Sequence, residues 1–121
     1  MPLTEYVYGA NILGVIGFQG ALVFGAPWGR FTQGGKYDGP LALPGRVAAG
    51  VSVIILATMA LAIFSAAGSG PAWPRWSGWA AAALNGIVMA LNWATPSAAE
   101  RKLWGPITSV MFVLALSVML R

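Results

Sequence analysis

Four long apolar runs, separated by shorter polar or proline-rich segments, dominate the pattern of this chain: Val7–Ala26, Val47–Ala67, Trp76–Ala94 and Leu103–Leu120. Each is near the length of about 20 apolar residues that a helix needs to cross a hydrocarbon core of about 30 Å. The first three hold no Lys, Arg, Asp or Glu. The pattern predicts an all-α protein: a four-helix transmembrane bundle with up-down topology, forming one membrane domain over residues 1–121. A long Gly/Pro-rich first loop, Pro27–Gly45, should lie between the first two spans. Its Gly34-Gly35 and Asp38-Gly39 pairs predict turns.

Within the spans, small residues recur at helical spacing. Gly17, Ala21 and Gly25 form one row, and Gly78, Ala82, Gly86, Ala90 and Ala94 form a longer one. Such rows let a second helix approach closely, which is the main route to helix association in lipid. Ahead of the last span, Thr95 before Pro96 suits a helix start, and Ser97 with Glu100 fits a capping box. A short interfacial helix should therefore begin near residue 97, and Gly105-Pro106 should kink or restart it.

Composition supports lipid as the solvent. The 121 residues are 58% hydrophobic and 8% charged, against the usual quarter of charged residues in a soluble domain. There is no cysteine and no histidine, which removes thiolate chemistry, the commonest general base and the commonest metal ligands. The net charge of +4 does not make a nucleic-acid protein, because its seven cations are scattered rather than gathered on one face. Their distribution reads instead as topology. Arg30, Lys36, Arg46, Arg101 and Lys102 fall in the first and third loops, against Arg75 and Arg121 on the other side. Cytoplasmic loops carry the excess of Lys and Arg, so the first and third loops should be cytoplasmic and both termini outside. Tyr6, Tyr8, Trp73, Trp76 and Trp79 would form the outer aromatic belt, and Trp28, Trp93 and Trp104 the inner one. No cation precedes the first run, which is too long for a signal-peptide core and reads as a span.

The candidate intramembrane polar site is Asn11 and Gln19 in the first span with Asn85 and Asn92 in the third. These amides either line a pathway for a small neutral or weakly charged molecule or bond helix to helix. Ser52, Thr58, Ser65, Thr108, Ser109 and Ser117 should bond back to their own helices. The cations Arg30, Lys36, Arg46, Arg101 and Lys102 are a candidate inner-face anion or lipid site. With Asp38 and Glu100 they could also pair across the two inner loops. Gly29–Lys36 does not complete a phosphate-loop pattern, since Arg30 and Tyr37 stand at two required positions. No ionisable group is expected at mid-membrane, which disfavours a coupled pump. Small multidrug carriers of similar length depend on a carboxylate in their first span, and here that span offers only Asn11 and Gln19. No catalytic, cofactor-binding or metal-ligating constellation is present, so an enzyme is not expected.

The segments G-A-P-W-G…G-G…L-P-G-R and N-x-x-T-P-S-x-x-E-R, within Gly25–Arg46 and Asn92–Pro106, together resemble an uncharacterised family of small bacterial four-span integral membrane proteins. Pro27, Trp28, Gly29, Gly34, Gly35, Arg46, Asn92, Glu100 and Arg101 carry the resemblance. It implies the same topology and a bacterial inner membrane, and it brings no activity. The expected role is a homo-oligomer or an accessory subunit of a larger membrane complex, in contact with membrane lipids and not with nucleic acid. The alternative is a passive transporter, channel or binding protein for a small neutral or anionic molecule or a lipid.

Overall fold

A computed structural model describes residues 2–121. Among these it is all-helical: α1 (Pro2–Val23), α2 (Leu43–Ala66), α3 (Arg75–Ala94) and α4 (Ala98–Met119), with no strand. Two single 3-10 turns, Gly29–Phe31 and Gln33–Gly35, shape the first loop. Three segments, Leu3–Val23, Leu43–Ala66 and Ala98–Met119, are long and apolar enough to cross a membrane. The apolar run of α3 is diluted by Ser77, Asn85, Asn92 and two glycines, although its 20 residues span about 30 Å at 1.5 Å per residue.

One core joins all four helices. Tyr8 and Ile12 of α1 meet Leu56, Met59 and Ile63 of α2, Ala81 and Ala82 of α3, and Met111, Ala115 and Val118 of α4. The outward faces remain apolar, with Leu13, Ile54, Leu91 and Val113 exposed. A water-soluble protein rarely shows so broad an apolar surface; a bilayer accepts it. Tyr8, expected in the outer aromatic belt, instead lies fully inside this core with no exposed surface. Tyr6 and Trp76 are exposed, as a belt requires.

The ends of the helices show how a chain in lipid satisfies its last carbonyls. Helices α1 and α2 both finish in a left-handed glycine, Gly25 (φ +94°) and Gly68 (φ +90°). Each is followed by the paired backbone bonds of a Schellman cap: Ala26 N–H to Ala21 O with Gly25 N–H to Leu22 O, and Ser69 N–H to Phe64 O with Gly68 N–H to Ser65 O. Arginines supply donors for other carbonyls. Arg46 donates to Val23 O at 2.8 Å, Arg75 to Met119 O at 2.7 Å and Arg101 to Thr95 O at 2.8 Å. Each is a cation at the negative end of a neighbouring helix, where the macrodipole favours it. Arg121 pairs with the buried Glu5 carboxylate, joining the end of α4 to the start of α1.

Several expectations change here. Gly25 is a cap and not part of a packing row, and a Cβ on Gly17 would meet nothing within 4 Å, so the Gly17–Ala21–Gly25 row packs no helix of this chain along its length. The α3 row is used only in part. A Cβ on Gly78 would press on Met119 and Ala66, and one on Gly86 on Phe112, while Ala82 is buried and Ala90 and Ala94 are exposed. Residues four apart drift about 40° per step around a helix of 3.6 residues per turn, so the row turns away from α4. Helix α4 runs through Gly105-Pro106 without restarting. The Thr108 hydroxyl engages Trp104 O and the Ser109 hydroxyl engages Gly105 O around the proline, an accommodation common in lipid. Of the two N-cap readings, Ser97 fills the role, not Thr95.

Replacing Gly25 by Ala should lower stability by about 1–2 kcal/mol, because a left-handed backbone position is forced on a Cβ. Replacing Gly17 by Ala should leave it unchanged or raise it by up to about 1 kcal/mol through helix propensity. Reversible unfolding in mixed micelles, followed by helical circular dichroism, separates the two.

Candidate functional site

The first loop folds over one end of the bundle. The Trp104 indole donates to Phe31 O at 2.8 Å, and the Ser97 hydroxyl donates to Arg30 O at 3.0 Å. Phe18 stacks on Trp28 and meets Trp104 edge-on, with ring centroids 5.8 and 4.7 Å apart. Gly35 (φ +70°) lets the loop pass α4 closely, since a Cβ there would fall 2.6 Å from Ser97 Oγ. Gln33 is held at φ +51°, an uncommon setting for a non-glycine residue, and its amide donates to Gly45 O at 2.9 Å. These neutral contacts join the first loop to α1, α2 and α4. Among the described residues, no ion pair links Arg30, Lys36 or Asp38 with Glu100, Arg101 or Lys102.

Beneath this loop lies a cavity of about 390 Å³ that reaches between the helices, within the size range of small-molecule sites. Its mouth is polar, with Thr32, Gln33, Asn92 and Glu100, and its deep end apolar, with Val15, Leu56, Met59 and Leu84. A second hollow shares Gln33, Leu91, Asn92 and Glu100 and is lined further by Thr95 and Pro96. The four shared side chains, three of them polar, form the neck between an outer vestibule and the inner cavity.

Glu100 reaches the neck through half of a capping box. Ser97 Oγ accepts from the Glu100 N–H at 3.1 Å. The reciprocal bond is absent, because the Ser97 N–H donates to Thr95 Oγ1 at 3.3 Å. The Glu100 carboxylate is thus free of the backbone that the motif would give it. The residue is 9% exposed, and among the described residues its carboxylate makes no hydrogen bond or ion pair. From sequence it reads as a capping residue and a charge able to pair across the two inner loops. Its environment was not legible in the sequence, where it stands beside Arg101 and Lys102.

The other polar groups of the cavity are mostly turned outward as acceptors. The Ser52 hydroxyl donates to Ala48 O, the Thr108 hydroxyl to Trp104 O, the Asn92 amide to Val88 O and the Gln33 amide to Gly45 O. Carbonyls only accept, so the two amide orientations are fixed and both amide oxygens stay without a protein partner. The Gln19 side chain, between these groups, makes no hydrogen bond among the described residues.

The four predicted amides separate into two roles. Gln19 and Asn92 line the cavity. Asn11 donates to Val7 O of its own helix. Asn85, 2% exposed, donates to the Tyr8 hydroxyl at 3.1 Å and to Ala81 O at 2.9 Å. Although Asn85 and Asn92 are seven residues apart on one face, Asn85 serves the α1–α3 contact. Among the predicted inner-face cations, Arg46 and Arg101 cap helix ends and Arg30 lies over the Phe31 ring at 4.6 Å. Lys36 and Lys102 are exposed. None of the five lines the cavity or its vestibule. Thr58, Ser65 and Ser117, with Ser52, Thr108 and Ser109, all bond back to their own helices as expected. Comparison with protein-family models, curated proteins and solved structures finds no match.

Changing Asn85 to Leu leaves the Tyr8 hydroxyl without its partner and should cost about 1–2 kcal/mol of stability. Changing Asn92 to Leu removes only a bond to its own helix and should alter stability by less than about 0.5 kcal/mol. Unfolding midpoints of the two variants in the same detergent test the assignment.

Proposed function

We propose that this chain is a four-span, up-down integral membrane protein that binds or passively conducts a small molecule through the cavity beneath its first loop. The observation that carries this reading is the unpartnered, nearly buried Glu100 at the neck of a cavity that grades from polar to apolar. Helix α3 then forms the fourth span, placed among three helices that are apolar enough to cross. The charge bias of the loops supports cytoplasmic first and third loops, and the resemblance noted for Gly25–Arg46 supports a bacterial inner membrane.

The chain has no cysteine, so single cysteines report topology directly. Asp38→Cys should be shielded from an impermeant maleimide in intact cells and Ser69→Cys should be labelled. Labelling of both from one side would overturn the alternation of spans; the reverse pattern would overturn the orientation.

Binding is checked with 4-phenylbutanol, a neutral probe with one polar end, titrated calorimetrically into the protein in zwitterionic nanodiscs against empty discs. Saturable binding is expected, and Leu84→Trp, which fills the deep end, should abolish it while elution and helicity stay unchanged. Undiminished binding in that variant would place the ligand elsewhere.

A second reading, a homo-oligomer or an accessory subunit of a membrane complex, is favoured by one observation. A Cβ on Gly14, Gly17 or Gly20 would meet nothing within 4 Å, so α1 offers a side-chain-free face to lipid or to another helix. A particle that stays monomeric after gentle extraction, with no co-purifying protein, would dismiss this reading.

A further inference from the structure

We infer that the occupant of the cavity is a small amphiphilic organic cation, an alkyl- or arylalkyl-ammonium, with its charged head on Glu100 and its apolar body toward Leu56, Met59 and Leu84. The inference rests on the reading of the cavity as a binding site and adds the class of ligand.

Three observations carry it. First, among the described residues Glu100 is the sole charged one lining either the cavity or its vestibule. It is nine-tenths buried, and its carboxylate has no partner among the described residues. No sealed side-chain oxygen or nitrogen lacks a partner among the described residues, so the unpartnered Glu100 oxygens open to the cavity, where water or a ligand completes them. The first turn of α4 gives the carboxylate some compensation through the helix dipole, but no donor of its own beyond that. Second, several nearby polar groups present free oxygens to the cavity, although the Gln33 and Asn92 amides each keep one N–H. Ser52 and Thr108 have their hydroxyl protons engaged with Ala48 O and Trp104 O, and Gln33 and Asn92 each direct an amide N–H to a carbonyl. Their oxygens and the Glu100 carboxylate accept from an ammonium, whereas the Glu100 charge repels a carboxylate or phosphate. Third, the polarity is graded. Counting inward from the loop, Asn92 gives way to Val88 and Leu84 on α3, and Ser52 to Leu56 and Met59 on α2. With a rise of about 1.5 Å per residue, the apolar end lies on the order of 10 Å beyond the neck. A molecule with one cationic head and a short apolar body matches both ends.

The geometry also disfavours the anionic ligands that the loop cations suggest from sequence. Arg46 and Arg101 are committed to helix-end carbonyls, and no lysine or arginine reaches the cavity wall.

The test uses three molecules of one shape: 4-phenylbutylammonium, 4-phenylbutanol and 4-phenylbutanoate. Each is titrated into the full chain in zwitterionic nanodiscs, for the native protein and for Glu100→Gln, with empty discs as the reference. The ammonium should bind saturably, about one per chain and at least about tenfold more tightly than the alcohol, as a charge-assisted contact implies. The carboxylate should be the weakest. Glu100→Gln should remove the advantage of the ammonium over the alcohol, with helicity and elution as in the native protein. Equal binding of ammonium and alcohol by the native protein overturns the cationic assignment while the cavity reading stands. So does an ammonium advantage that survives Glu100→Gln. If none of the three binds the native protein, the cavity reading falls and the assignment with it. The native protein alone decides the order of the three ligands, so the proposal does not depend on the variant folding.

Discussion

The helix ends of this protein are built around one constraint: in hydrocarbon, no water is available to complete a hydrogen bond. Helices answer it along their length, and the interest lies at their ends. Two helices close on left-handed glycines, and three carbonyls are reached by arginines from neighbouring helices. Because each of these arginines belongs to a different helix from the end it caps, the caps are also tertiary ties. They hold the helix ends together beyond what the apolar core does.

The same constraint shapes the cavity. Hydroxyls and amides in a membrane helix bond to the carbonyl one turn back, and six hydroxyls here do so. Where such residues border a solid core the result is merely neutral packing. Where they border a hollow, the Ser52 and Thr108 protons face the helix and their oxygens remain available, while Asn92 keeps its oxygen and one N–H. Local satisfaction of the helices thus produces an acceptor-rich wall. Into that wall comes Glu100, released because Thr95 replaces it as the acceptor for the Ser97 N–H. One side-chain substitution within a three-residue turn separates a capping glutamate from one that faces a cavity.

The small-residue rows illustrate how far a repeat can be trusted. Gly78 and Gly86 do allow α4 to approach, but a four-residue repeat drifts around the helix, and Ala90 and Ala94 end on the outside. In α1 the matching row dissolves: Gly17 faces open space and Gly25 is a cap. Glycine has at least three uses in this chain, namely close packing, left-handed caps and loop passage beside α4, and spacing alone does not tell them apart.

The sequence by itself determined the solvent, the helical class and the fate of the hydroxyls, because length, apolar runs and one-turn-back bonds are local properties. It also placed Gln19 and Asn92 among the candidates, since an amide in an apolar run is conspicuous anywhere. Only the tertiary structure decided which polar groups meet. Tyr8 and Asn85 find each other across 77 positions, which takes Asn85 out of the cavity and Tyr8 out of the membrane interface. Arg46 and Arg101 look like an anion site until the carbonyls of Val23 and Thr95 are seen beside them. Glu100 looks like an edge charge until the first loop covers it. Partnership between residues far apart depends on how helices pack, and in an apolar chain the packing surfaces are too alike for the sequence to specify them.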